Sequence, residues 1–558
     1  MVTYRFPDAD VPTIAPNHSP LVNRLLHNRG IEDADVFLAP DYETQLHDPM
    51  LLHDMESAVV RIKAAMAAGE QIAIFSDYDC DGIPGAVVLH DYFKAVGYDQ
   101  FQNYIPHRHF EGFGLSVYAV DKLVAGGVKL IITIDCGTTD AEAIAHAKAK
   151  GIDVIVTDHH EPPAILPEAY AIVNPKLGNY PFIELCGAAV VFKLAQALLA
   201  TGGHEVPAGR EKWWLDMVGI ATIADMVPLI GENRVLARFG LQVLRKSRRP
   251  GLQALLKKNR IDQRYLTEED VGFTIGPRIN AASRMDTPED AFFMLAATDV
   301  IEATQKVDHL EKLNTQRKAA VALMTKEIHK RLEHAEDMPA VLVMGNPEWR
   351  PALVGLAANK LAEEYRRPVF LWGRDGNGVY KGSCRSGGEA SVVTLMNATP
   401  EVFLEHGGHH FSGGFSVKDD YIFTLGEKLN EAYERLGNEA TISLEENIDE
   451  ILNLDAVTHA LISDLALLAP YGTGNKKPLF AFNNVIPRKV EQFGKAQEHL
   501  KLMFETLNGQ LEAIAFFAKV EDFQKVPSPE SAVTLVAHVE QSYFMGRQQL
   551  RLRIVEIM

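Results

Sequence analysis

The chain has 558 residues, 47% of them hydrophobic, enough for roughly two to four globular domains with buried cores. Mean hydropathy is −0.06 and no apolar run approaches the length of a bilayer span, which argues against a helical membrane protein. A formal charge of −19 argues against indiscriminate nucleic-acid binding, which normally shows as a basic excess, while leaving room for a nuclease with a locally basic groove.

Met1 to Asp10 carries Asp8 and Asp10 and no apolar core, unlike a secretory signal. The four cysteines, Cys80, Cys136, Cys186 and Cys384, are scattered and form no CxxC pair. That points to a reducing compartment, with a cytoplasmic location expected, and away from a disulfide or zinc framework. Residues up to about 50 read as a polar, helical lead-in.

From Gln71 the pattern changes. Ile72-Ala73-Ile74-Phe75 is a continuous apolar run ending in Ser76-Asp77-Tyr78-Asp79-Cys80-Asp81-Gly82, and Ala86 to Val96 reads as a helix. Leu130 to Ile134 ends in Asp135-Cys136-Gly137, with a helix expected over Asp140 to Lys150. Asp153 to Val156 runs into Thr157-Asp158-His159-His160-Glu161, and Tyr170 to Val173 into Asn174-Pro175. Strands without polar alternation, separated by helices, predict a parallel sheet covered on both faces. Ligands of such sheets sit beyond the carboxyl ends of the strands, where three of these four deliver acids or imidazoles.

Further on, Asp225 is a lone acid in an apolar stretch, either a helix-end carboxylate or a ligand. Arg234 to Arg260 holds nine Lys and Arg and no acid, a solvated basic face or a guide for a polyanion. Residues 276–286 place Arg278, Asn280 and Arg284 in a loop and helix start suited to an anion. A long helix with a thin apolar stripe, from Val307 past Leu332, reads as a connector. A second α/β unit begins near Pro339. It includes Lys381-Gly382-Ser383-Cys384-Arg385-Ser386, whose cation, hydroxyls and guanidinium suit a phosphate. Gly407-Gly408-His409-His410-Phe411-Ser412-Gly413-Gly414 reads as a Gly-rich loop where backbone can approach a ligand. The part beyond Asp464 is β-rich and suggests a small barrel.

The strand-end groups are Asp77, Asp79, Asp81, Asp135, His159, His160 and, with them, Asp225. So many carboxylates cannot crowd together ionised unless cations neutralise them. Oxygen-rich ligation with one or two imidazoles suits Mn²⁺ or Mg²⁺ better than Zn²⁺. Asp135 is the natural acid to bridge two ions about 3.5–4 Å apart, and such a pair hydrolyses phosphoesters. The Asp-x-Asp-x-Asp spacing points alternate side chains of one extended segment the same way. Cys80 and Cys136 are expected to be core packing. An EF-hand reading of Asp77 to Gly82 fails because loop position 12 is Val88.

Asp77-Tyr78-Asp79-Cys80-Asp81-Gly82, Asp135-Cys136-Gly137, Asp158-His159-His160 and Ala224-Asp225 resemble the four successive motifs of the DHH phosphoesterase superfamily. The Gly407-Gly408-His409 segment resembles the signature of its DHHA1 partner domain. Tyr104 to Arg108, Gly276 to Asn280, Lys381 to Ser386 and Pro470 to Asn475 are similar to segments of its single-strand-specific exonucleases. The resemblance runs from about residue 50 to near the C-terminus. It implies a lead-in over 1–50, an α/β parallel-sheet DHH catalytic domain over 51–300 and a connector helix over 301–335. A DHHA1 substrate-binding domain over 336–440 and an OB-like β-barrel that binds nucleic acid over 441–558 would follow.

The implied activity is two-metal removal of nucleotides from the 5′ end of single-stranded DNA, with a helicase and a single-strand-binding protein as the expected protein partners. By the resemblance Asp77 and Asp79 would serve one ion, Asp81, His159 and Asp225 the other, and Asp135 both. His160 would contact the scissile phosphate, and Asp158 would orient the histidines. Arg108, Arg278, Ser383 and Arg385 would hold substrate phosphates, and His409 would line the same cleft, with Asn280, Gly407 and Gly408 also contributing to substrate binding. The chain departs from the family at Pro84, where a hydroxyl residue is commoner, at Ser283, where Gly is usual, and at His410-Phe411-Ser412-Gly413. The alternatives are a DHH phosphodiesterase for short oligonucleotides or cyclic dinucleotides, and a non-catalytic DHH scaffold in a replication complex.

Overall fold

The computed structural model of the protein describes residues 3–7, 11–334, 337–376, 378–388, 390–437, 445–494, 497–544 and 547–558, so Asp8 and Asp10 lie outside the described residues. The chain forms two compact units. The larger comprises His47–Val227 and Phe239–Leu444; the smaller comprises Met1–Leu46, Pro228–Arg238 and Glu445–Met558.

The larger unit opens with a five-stranded sheet of β1 (Gln71–Ser76), β2 (Phe101–Tyr104), β3 (Val128–Ile134), β4 (Asp153–Thr157) and β5 (Ala171–Val173), in the order β2-β1-β3-β4-β5. Every ladder is parallel. The strands carry Ile, Val and Phe without alternation because both faces are covered, and Phe75, Ile131 and Val156 anchor one core cluster. β2 was not legible as a strand: Phe-Gln-Asn-Tyr is a half-buried edge with two polar residues.

The helix after β1, α1 (Gly82–Ala95), begins four residues before the expected Ala86. The cause is local: Asp79 Oδ1 accepts from the backbone N–H of Asp81 (2.8 Å) and of Gly82 (3.2 Å), which turns the chain into the helix at once. Asp81 is therefore at a helix start, which corrects the expectation that all three acids share one extended segment. Pro84 falls in the first turn of α1, where its missing N–H costs nothing. Next come α2 (Ala141–Ala149), α3 (Gly187–Ala200) and α4 (Leu215–Ala224). Residues 276–286, expected as a loop and helix start, are helical as α5 (Gly276–Met285), directly after a π-helical turn over Val271–Ile275. The long helix expected from Val307 past Leu332 is α6 (Val300–Leu332), 33 residues long and so about 50 Å.

The second sheet consists of β6 (Leu342–Gly345), then, after α7 (Pro351–Tyr365), β7 (Pro368–Arg374), β8 (Tyr380–Ser386), β9 (Phe403–Gly408) and β10 (Ser412–Val417), in the order β9-β10-β8-β7-β6. The Gly-rich segment expected as a loop is a hairpin, because Gly407 and Gly408 pair with Gly414 and Gly413.

In the smaller unit, β11 (Glu450–Ile451), β12 (Phe480–Val485), β13 (Lys489–Phe493), β14 (His499–Thr506), β15 (Gly509–Phe516), β16 (Val533–Phe544) and β17 (Arg547–Ile557) form one sheet ordered β11-β12-β16-β17-β15-β14-β13. The lead-in is not a free segment. Val22, Leu25, Leu26 and Phe37 share a core with Phe480, Phe482, Leu500 and Leu535. Part of the basic run is also structural. Arg234 donates to the carbonyls of Phe37 (2.9 Å) and Leu468 (2.8 Å), where Leu468 ends the helix His459–Leu468. In the larger unit, Arg249 is consumed by Asp216 (2.8 Å) and Asp91 (2.6 Å).

Candidate metal centre and nucleic-acid cleft

The register of the first sheet aligns its functional groups. Ser76 pairs with Ile134, Ile134 with Thr157, and Thr157 with Val173. The ladder runs one residue further, because Asp77, Asp135 and Asp158 donate their N–H groups to Ile134, Thr157 and Val173. Asp77, Asp135, Asp158 and Asn174 thus stand in one row at the carboxyl edge.

Three groups of donor atoms gather there, each within 4.8 Å: Asp77, Asp79 and Asp135; Asp81, His159 and Asp225; Asp135, His159 and His160. His159 Nε2 lies 3.2 Å from Asp135 Oδ1 and 3.7 Å from both Asp81 and Asp225. Asp135 belongs to two groups and has a left-handed backbone, φ 60°. Its approach to α3 requires Gly187, since a Cβ there would sit 2.6 Å from the Asp135 Cβ. Asp81 accepts from the N–H groups of Gly187 (2.6 Å) and Ala188 (2.7 Å) in the first turn of α3, which suits a carboxylate. Asp225 has the opposite placement, at the C-terminal end of α4, where the helix dipole disfavours an acid.

Burial, and then Asp79, raise Asp77 well above the usual carboxylate range; burial, and then Asp81, do the same to Asp135. Asp225 is pushed up to about 9 by burial and by Asp81 and Asp79. One oxygen each of Asp77 and Asp135 is buried without a hydrogen-bond partner. Orphaned, mutually repelling carboxylates beside imidazoles are a donor set that fits divalent cations preferring oxygen. Cys80 and Cys136 are buried, and burial pushes both thiols up, as packing residues require.

Asp158 differs from its neighbours. Burial alone would raise it, but hydrogen bonds from His160 and Thr138 overcome that and hold the carboxyl below its usual range. Its Oδ1 accepts from the N–H groups of His159 (2.7 Å) and His160 (3.1 Å) and lies 2.7 Å from His160 Nδ1, while Oδ2 accepts from Thr138 N–H (3.0 Å). Burial disfavours the His160 imidazolium, yet Asp158 keeps the ring above its ordinary value.

A cleft of about 1150 Å³ in the same unit is lined by Tyr78 and Arg108 on one side and by Arg350, Lys381, Ser383 and Gly407 on the other. Arg108 lies 4.8 Å over the Tyr78 ring. Arg284 is lowered to about 10 by burial and by Arg108 and Arg317. Arg385 adjoins Ser383 on β8 but does not line the cleft; its Nη1 donates to the carbonyl of Cys384 (2.7 Å). The structure does not bring Arg278 there either. Arg278 is buried and donates to Glu311, Asn259 and the carbonyl of Thr274 (2.8 Å). Asn280 faces inward, with a buried and unpartnered Oδ1. Gly408 and His409 lie at the turn of the β9–β10 hairpin, outside the residues lining the cleft. Sequence reasoning missed Arg350, whose one signal is its place just before Pro351 at the start of α7.

The smaller unit has its own surface feature. Phe493, His499 and Phe516 form a cross-strand row on β13, β14 and β15. Arg553 lies 4.3 Å and Arg551 5.7 Å from the Phe516 ring centre, and Lys501 5.7 Å from that of Phe493. Phe517, 83% exposed, packs on His499. Aromatic rings interleaved with cations suit stacked bases and a phosphate backbone.

The profile of the DHH family, N-terminal domain, matches residues 71–222, that of the DHHA1 domain residues 338–453, and that of the RecJ OB domain residues 448–556. The chain is 33% identical to the single-stranded-DNA-specific exonuclease RecJ of Bacillus subtilis, over 96% of this chain and 67% of that one. It is 32% identical to the RecJ of Escherichia coli, over 91% of this chain and 90% of that one. Among solved structures it is similar to RecJ from Thermus thermophilus in complex with Mn²⁺. There the TM-score is 0.82 and the identity 25%, covering 100% of this chain and 79% of that one.

Proposed function

The chain belongs to the RecJ family of single-stranded-DNA-specific exonucleases, and from that premise we propose that it removes 5′-mononucleotides stepwise from the 5′ end of single-stranded DNA, in repair and recombination, with two Mn²⁺ or Mg²⁺ ions. The observation that carries this reading is the row Asp77–Asp135–Asp158, with its orphaned carboxylate oxygens, in the unit that also holds the arginine-lined cleft.

In this reading Asp77 and Asp79 hold one ion, Asp81, His159 and Asp225 the other, and Asp135 both. Bound there, divalent cations supply activation of the attacking water and neutralise charge developing on the phosphoryl group. The chain's own groups do the rest. Asp158 fixes the rotamer and charge of His160, whose exposed edge donates a hydrogen bond to an oxygen of the scissile phosphate. Arg108 and Ser383 take phosphates across the cleft, with Arg385 behind Ser383 on the same strand. Arg278 is assigned to holding α5 against α6, because Glu311 and Asn259 already use its guanidinium. In this reading the divisions are 51–300 catalytic, 301–335 connector, 336–440 substrate-binding and 441–558 strand-binding, with Val22 to Phe37 of the lead-in packed on the last of these and Pro228–Arg238 grouped with it. No helix among the described residues is long and apolar enough to cross a membrane. A cytoplasmic location suits the reduced cysteines, and a helicase and a single-strand-binding protein are the partners that would supply a free strand.

The test is incubation with Mn²⁺ of 5′-phosphorylated single-stranded DNA, a hairpin duplex and a cyclic dinucleotide, beside Asp81→Ala. The expected result is 5′-mononucleotides from the single strand alone, with a loss on the order of 10³-fold or more in the variant. Equal activity in Asp81→Ala sinks the metal assignment. Turnover of the dinucleotide alone favours a short-substrate phosphodiesterase, and Mn²⁺ binding without turnover of any substrate favours a scaffold.

The aromatic row gives a second expected outcome. Phe516→Ala, read by anisotropy on a long labelled strand, weakens affinity by about 1–3 kcal/mol, roughly 5- to 150-fold. Arg553→Ala also flattens the salt dependence of binding by about one unit of slope. An unchanged affinity in both would remove this face from the binding surface.

A further inference from the structure

The segment from His107 to Gly114 carries Arg108 and Phe113 and lines the cleft. It touches the centre at two points and α5 at a third. Arg108 lies over Tyr78, Phe113 meets the His160 ring edge-on at 5.6 Å, and His109 Nε2 is 3.1 Å from the carbonyl oxygen of Arg284. Both ends of the segment are tied down by carboxylates that have no part in the metal centre. At its start, Glu111 accepts from the Tyr104 hydroxyl (2.5 Å) and from the N–H of His107 (3.0 Å). At its end, Asp140 Oδ2 accepts from the N–H of Leu115 (2.6 Å).

Asp140 occupies the N-cap position of α2, where an aspartate ordinarily accepts from its own helix. Here it makes no such bond, and its carboxylate is turned to the segment instead. Asp140 also closes the turn that begins at Gly137, two residues after Asp135, its N–H donating to the carbonyl of Gly137 (3.1 Å). The same turn presents the Thr138 N–H to Asp158. One short turn therefore references the shared acid, the orienter of His160 and the arginine-bearing segment to each other.

We propose that Asp140 and Glu111 are positioning residues, which hold the His107–Gly114 segment so that Arg108 and the metal-ligating carboxylates engage consecutive parts of one DNA strand. The proposal rests on the exonuclease reading, since it concerns placement of a strand. A misplacement of about 1 Å in such a group can cost as much as 10²-fold, which makes a pair of dedicated anchors consequential.

The experiment is steady-state kinetics on a 5′-phosphorylated single strand, with strand affinity measured in parallel with Ca²⁺ in place of Mn²⁺. Asp140→Ala is expected to raise KM and the dissociation constant about tenfold while kcat falls by less than about threefold. Asp140→Asn, which keeps an acceptor oxygen for Leu115, recovers most of the loss. Gly114→Ala moves the segment while residue 140 stays an aspartate. Its Cβ would lie 2.7 Å from both Asp140 oxygens at a backbone φ of +78°, so the same KM rise is expected, and this variant decides the matter should Asp140→Ala fail to fold. In an Arg108→Ala background, Asp140→Ala adds less than about twofold, because both act through one contact. Full additivity, or equal falls in kcat and kcat/KM with unchanged affinity, overturns the proposal. A wild-type chain that binds the strand without cutting it refutes the exonuclease reading and leaves the affinity arm to decide this one.

Discussion

Asp135→Asn is expected to abolish turnover while making the metal-free protein more stable. The two effects share one cause. Asp135 is buried, has an oxygen without a hydrogen-bond partner, and is raised by burial and by Asp81, Asp79, Asp77 and Asp225. Without cations its charge is a liability to the fold, and a neutral carboxamide relieves about 1–3 kcal/mol of that cost. Asparagine also tolerates the left-handed backbone that Asp135 adopts, so the substitution adds no strain. With cations the balance reverses. The wild-type chain gains RT ln(1 + [L]/Kd), about 2.7 kcal/mol at a hundredfold excess over Kd, and the variant gains little. Thermal unfolding in chelator and in Mn²⁺ should therefore rank the two proteins in opposite orders. Activity should fall on the order of 10⁴-fold, because in the proposed mechanism Asp135 would serve both ions. A variant that keeps the Mn²⁺-induced shift, or is less stable than wild type in chelator, would falsify the shared-acid role.

That trade of stability for function explains which parts of the site are legible in sequence. Apolar strands that stop in Asp77, Asp135 and Asp158 are visible because ionisable groups at the ends of buried strands have few structural reasons to be there. Their alignment in one row is not visible, since it depends on the register Ser76–Ile134–Thr157–Val173, which only the folded sheet sets. The engagement of Arg278 within the fold was hidden for a related reason. A cation near Asn280 and Arg284 suits an anion, but its partner Glu311 lies 33 positions away on another helix. The early start of α1 follows from the Asp79 turn, which the pattern-breaking Pro84 obscures. The lead-in was opaque because its partners, Phe480 to Leu535, lie more than 400 residues further along the chain. Composition and period report faces of elements; they do not report what those faces meet.

The same logic makes Asp158 the most informative position outside the proposed metal ligands. Asp158→Ala is expected to cost on the order of 10²- to 10³-fold in kcat, comparable with His160→Ala, although Asp158 touches neither ion nor strand in the proposed mechanism. Its two oxygens accept from His159 N–H, His160 N–H and Thr138 N–H, and Oδ1 meets His160 Nδ1. Removing them frees the His160 ring and leaves the backbone N–H groups after β4 without acceptors. Asp158→Asn separates the two contributions: an amide oxygen still serves the backbone donors, but the charge that holds the imidazolium is gone. If His160 acts through Asp158, the double variant Asp158→Ala/His160→Ala is no slower than His160→Ala alone, within about threefold. Losses that multiply would mean that Asp158 works on its own, as a ligand or as a support for Asp135, and not through the histidine.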